Sequence, residues 1–133
     1  MLSINVIKVL HSKTNWEMNE KTDGDCYILN PFNSIHYKSI KTNDFEEYDN
    51  YIKKTNQYPH HNVEKFKKLI QEFDLKKCFP IKLKYENGYF KIIDGVHRLS
   101  ILIYYHNYKF LNEIMDFCSD FKRFLSYIYR IVM

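Results

Sequence analysis

The chain has 133 residues, enough for one domain around a single core, and 45% of them are hydrophobic and 17% aromatic, which excludes a disordered or low-complexity chain. Its net charge of +4 at pH 7 is too mild for a dedicated nucleic-acid binder with a dense basic face, yet it suits nucleotides and other phosphorylated ligands. Cys26, Cys78 and Cys118 are odd in number, far apart and without metal-ligand spacing, so reduced and mostly buried thiols of a cytosolic protein are expected.

From the N-terminus, Ile4–Leu10 and Cys26–Leu29 are short β-branched or aromatic runs predicted as strands, joined by a polar turn around Thr22-Asp23-Gly24-Asp25. Met1–Leu10 holds no basic segment leading into a long apolar run, so no signal peptide is expected. Asn30-Pro31 ends the second run, and His36–Ile40 is predicted as a further short strand. Asp44 suits the N-cap of a helix through about Lys54, with Phe45, Tyr48, Tyr51 and Ile52 along one side. Tyr58-Pro59-His60-His61 is a break. Asn62 then caps a second helix whose Val63, Phe66, Leu69, Ile70 and Phe73 recur at helical spacing, leaving Lys65, Lys67 and Lys68 on a solvated face.

Pro80–Tyr85 and Tyr89–Ile93 alternate around Glu86-Asn87-Gly88, and Asn-Gly between two such runs predicts a hairpin. Its second strand delivers Asp94-Gly95, after which a helix carries Leu99, Leu102, Ile103 and Tyr105 or His106 until Asn107 ends it. Residues 110–131 form a long amphipathic pattern with a polar stripe through Asn112, Asp116, Asp120, Arg123 and Arg130. Glu113, Lys122 and the other charges exclude a membrane span there. This helix is expected to pack on the chain's own core, with a homodimer contact or a partner protein as the alternative. A cytoplasmic protein without a membrane or nucleic-acid partner is the expectation.

The junction Asp94-Gly95-Val96-His97-Arg98 carries the chemistry. A glycine there lets backbone approach a ligand, and the amides that follow open the positive end of a helix toward an anion. Arg98 adds a fork of donors suited to phosphate, and His97 is a side chain that can donate a hydrogen bond or move a proton near neutral pH. Asp94 is open to three roles: capping the helix, orienting His97 or holding a divalent ion. His61 and Asn62, at the start of the earlier helix, are candidates to line the same pocket.

Residues 62–105 resemble the ParB/sulfiredoxin superfamily, in which a helix precedes Pro-Ile-x-Val-like and Gly-x-Tyr-x-Ile-Ile-like strands and an Asp-Gly-x-His-Arg-like box. Here those are Val63 to Ile70, Pro80-Ile81-Lys82-Leu83, Gly88-Tyr89-Phe90-Lys91-Ile92-Ile93 and Asp94 to Leu99. Sulfiredoxins carry a cysteine directly before the His-Arg, and Val96 stands there instead. Partitioning ParB proteins carry an arginine pair, where this chain has His97, and follow it with a helix-turn-helix domain. Only about 28 residues follow Tyr105, too few for that domain. The His-Arg version is more similar to the nucleotide-dependent branch with free serine kinases and ATP-hydrolysing relatives.

The resemblance implies an α+β fold, a ParB/sulfiredoxin-like small mixed sheet with a β-hairpin leading into a phosphate-binding helix. It implies one domain over residues 1–133, with its core at 28–108 and the C-terminal helix at 110–131. The implied activity is a nucleotide-binding (ATP, ADP or CTP) phosphotransferase or nucleotidase acting on a small hydroxylated metabolite. Gly95, Val96, His97, Arg98, His61 and Asn62 would hold phosphate, Asp94 and His97 would be catalytic, and Asp94 would hold Mg²⁺. No motif singles out a general base among Glu46, Glu47, Glu64 and Glu72. Two alternatives stand beside it, a non-catalytic nucleotide-switched interaction module and a ParB-like DNA-binding or nuclease domain.

Overall fold

The computed structural model describes residues 2–15, 23–77 and 80–114. Four strands, β1 (Ile7–Ser12), β2 (Cys26–Leu29), β3 (Lys82–Glu86) and β4 (Tyr89–Asp94), form one mixed sheet in the order β2-β1-β4-β3. β1 pairs antiparallel with β2, setting Val9 opposite Leu29, and parallel with β4, setting Ile7 opposite Phe90. The β3–β4 hairpin turns through Asn87 and Gly88, both at positive φ (57° and 86°), as the tightest hairpin turn requires.

Among the described residues five α-helices accompany the sheet: α1 (Ile35–Thr42), α2 (Glu46–Lys54), α3 (Val63–Glu72), α4 (Val96–Tyr105) and the short α5 (Leu111–Ile114). α4 is buried on two sides and divides the interior. Leu99, Leu102 and Ile103 join Ile7, Val9, Phe90 and Ile92 of the sheet, while Ile101 joins Ile40, Phe45, Tyr48, Ile52 and Phe66 of α1, α2 and α3. The first cluster also takes in Ile4, Leu111 and Ile114.

Local chemistry explains most of these elements. Asn62 Oδ1 accepts from the Lys65 amide at 2.9 Å and starts α3 as expected. Asp44 Oδ1 accepts from the Glu46 amide at 3.0 Å, so it caps α2 from one residue before the formal cap position, Phe45. Phe45, Tyr48 and Ile52 are buried as their spacing predicts, with Tyr51 half-buried.

Two expectations are corrected. His36–Ile40 is not a strand but the middle of α1. Ser34 Oγ accepts from the Tyr37 amide at 3.0 Å and starts the helix, His36, Ser39 and Ile40 are buried at helical spacing, and Asn43 closes it in the left-handed conformation. Ile4–Val6 is a 3₁₀ turn rather than the start of a strand, because Leu2–Ile4 is tied to residues 109–111. Ile4 N–H donates to Lys109 O at 2.8 Å and Leu111 N–H to Leu2 O at 2.9 Å.

Cys26 is buried, whereas Cys78 and Cys118 lie outside the described residues, as does the expected helix beyond Ile114. Among the described residues no helix is long and apolar enough to cross a membrane.

Candidate functional site

β4 ends at Asp94 and α4 begins at Val96, so one residue makes the whole turn. Gly95 sits at φ +113°, and a Cβ there would stand 3.0 Å from Arg98 Nη2 and 3.1 Å from Ile81 Cγ1. Glycine is therefore required twice, for the backbone angle and for the space that the Arg98 guanidinium occupies. The guanidinium folds back over the turn, with Nη2 3.3 Å from Asp94 Oδ2. Its side chain is only 16% exposed while that of Asp94 is 64% exposed, so the pair lies across the boundary between interior and solvent. Arg98 Nε is buried without a hydrogen-bond partner among the described residues. A buried donor of a charged group left unsatisfied is costly, and such a donor beside a cavity is a mark of a ligand position.

That cavity is present. About 160 Å³ lies between the starts of α3 and α4, walled by Asp94, Gly95, His97 and Arg98 on one side and His61, Asn62, Lys65 and Phe66 on the other. Both helices turn their N-terminal ends to it, and the first-turn amides of a helix have no intrahelical acceptor. Lys65 contributes a second cation. Its ammonium donates to Pro59 O and His60 O, both at 3.2 Å, which ties the loop before α3 to the helix. A smaller cavity of about 90 Å³ shares His61, Asp94, Gly95 and His97 with the first and continues toward His36, Tyr51 and Gln57.

His97 is packed among rings. The His36, Phe66 and His61 rings lie 4.5, 4.8 and 5.0 Å from it, and its Nε2 shares a 2.8 Å hydrogen bond with the Tyr48 hydroxyl. Burial, with the charges of His61 and Arg98 as lesser causes, pushes the imidazole down from 6.5 to about 3. Burial also pushes the Tyr48 phenol up, so both partners are neutral at physiological pH. His97 is thus a positioned, uncharged group and not the residue titrating near neutrality that sequence suggests.

Asp94, Gly95, His97, Arg98, His61 and Asn62 all line the one cavity, as expected together. Val96 does not; it faces the smaller cavity instead. Glu46, Glu47, Glu64 and Glu72 line neither, which leaves Asp94 as the only carboxylate among the residues described there. Sequence reasoning missed Tyr48, Lys65 and His36. Tyr48 was legible only as a buried position on α2, although a buried tyrosine must place its hydroxyl somewhere.

Among the described residues no cluster of three or more His, Cys, Asp or Glu side chains could cage a metal ion. A single carboxylate at a cavity rim still fits Mg²⁺ that arrives on phosphate oxygens, since this ion keeps most of its waters and needs one or two protein carboxylates. Comparison with known protein families, curated proteins and solved structures gave no match.

Proposed function

We propose that this chain is a nucleotide-binding protein of the ParB/sulfiredoxin type, and that the cavity between α3 and α4 holds nucleotide phosphate. The observation that carries the reading is the Arg98 guanidinium, folded over Gly95 with a buried, unpartnered Nε, in a cavity where two helix N-termini meet. A phosphate there accepts from Arg98 and from the amides opening α4, with Lys65 adding charge from the facing helix. A volume of about 160 Å³ suits the phosphate end of a ligand and leaves its organic part outside.

The proposed reaction is phosphoryl transfer to a small hydroxylated metabolite, or to water. The acceptor oxygen attacks the terminal phosphorus, the bond to the bridging oxygen breaks, and the acceptor proton passes to Asp94. Positioning and charge neutralisation carry most of such a reaction. Mg²⁺, when bound with Asp94 and phosphate oxygens, would supply further neutralisation of charge. His97, fixed by Tyr48, serves as an uncharged hydrogen-bonding wall.

One observation favours a second reading. Asp94 is exposed and already paired with Arg98, and His97 is held neutral, so neither offers the cavity a buried and poised base. A module that binds nucleotide without turning it over has the same geometry.

Calorimetry with ATP, ADP, CTP and pyrophosphate, each with Mg²⁺, tests the binding. At least one should bind, and Arg98→Ala should weaken it at least tenfold; failure of all four ends the proposal. Product release with a panel of hydroxylated metabolites then separates the readings. Turnover lost in Asp94→Asn supports transfer, whereas tight binding with no product supports the module.

A further inference from the structure

A third cavity has no part in the phosphate site. About 500 Å³ lies on the far side of Tyr51, between β2, α1 and α2. That volume falls within the usual range for small-molecule pockets, about 300–1,000 Å³. Tyr27 and Leu29, two apart on the edge strand and so on one face of it, form one wall, and Ile35 at the start of α1 continues the apolar surface.

The rim is cationic. Lys38 from α1, Lys54 from α2 and Lys13 from the end of β1 all border the cavity, against one carboxylate, Glu47. Neither Lys38 nor Lys54 has a salt-bridge partner among the described residues, and the Lys13 ammonium lies 5.0 Å over the Tyr27 ring. Several like charges bordering one concavity focus a positive potential into it. An apolar wall with aromatic rings beneath a cationic rim matches one ligand chemistry, a planar ring bearing an anionic group.

We propose that the cavity between β2, α1 and α2 binds a small organic anion with a planar ring, the ring against Tyr27, Leu29 and Ile35 and the anionic group between Lys38 and Lys54. The site is independent of the phosphate cavity, although Tyr51 walls both this cavity and the small one behind the Asp94–His97 turn.

The test uses 2-naphthoate as probe and neutral 2-naphthalenemethanol as its control, by calorimetry on the full chain. Naphthoate should bind at least tenfold more tightly than the alcohol, and Lys38→Gln/Lys54→Gln should lose at least tenfold. Lys76→Gln/Lys77→Gln, which removes the same charge elsewhere, should leave binding unchanged. Amide shifts in the wild-type chain should move at Lys38, Tyr51 and Thr55, which locates the probe without any substitution. Arg98→Ala should keep naphthoate binding while losing pyrophosphate, so the two sites can fail separately. Absence of naphthoate binding, equal binding of the alcohol, undiminished binding by the Lys38/Lys54 variant, or shifts confined to another surface would each overturn the proposal.

Discussion

Arg98 separates stability from binding. Its Nε is buried and unsatisfied and its Nη2 meets an exposed carboxylate, so the folded chain gains little from the guanidinium itself. Arg98→Ala should leave the melting temperature nearly unchanged and weaken phosphate-ligand binding by about 1.5–3 kcal/mol, or roughly tenfold to 150-fold, by calorimetry. The two positive-φ glycines make a sharper comparison. A Cβ at Gly88 meets nothing within 4 Å, while one at Gly95 meets the guanidinium and Ile81. Gly88→Ala should cost about 1–2 kcal/mol from backbone strain alone. Gly95→Ala should cost more in urea unfolding and should also displace Arg98, so only this variant loses ligand binding. Asp94, Gly95 and Arg98 were legible as a group because their chemistry is local to five residues. Tyr48 was not, since its bond to His97 spans 49 positions and depends on α2 lying against α4.

At the scale of elements, those with strong local signals were the legible ones. Asn87-Gly88 specified the hairpin, Asn62 the start of α3, and Gly95 the passage from β4 to α4. The α1 segment was misread because five residues with Tyr and Ile fit a short strand as well as a helix. Ser34 and Asn43, its two caps, were the overlooked clues. α4 holds the architecture together because it belongs to both cores. Leu102 is fully buried against the sheet, and Ile101 is equally buried against α1, α2 and α3. Leu102→Ala should destabilise by about 2–5 kcal/mol in urea titrations. Ile101→Ala should fall in the same range through the other cluster. The two changes sit on neighbouring residues of one helix but remove contacts with different partners, so a double variant tests whether the cores unfold as one unit.

For the molecule as a whole, protons, ligand and fold are linked through His97. Unfolded, its imidazole titrates near its ordinary value of 6.5, whereas folded it titrates near 3. Between those values the unfolded chain binds the extra proton, so stability should fall as pH drops from about 6.5 toward 3. An anion in the neighbouring cavity acts in the opposite direction, because a negative charge close to the ring favours its protonated form. Sulfate, which keeps both charges over this range, is the suitable probe. Its affinity should rise as pH falls toward 3, where the folded imidazole takes up its proton, while the ligand-free chain becomes less stable. At a hundredfold excess over its Kd, sulfate should add about 2.7 kcal/mol of stability, on the order of 10 °C in melting temperature. His97→Asn removes this imidazole and should flatten its share of both trends, leaving Arg98, Lys65 and the helix ends to bind sulfate beside His61 and Asp94. An unchanged pH profile in that variant would mean that the imidazole is not the group coupling the cavity to the fold.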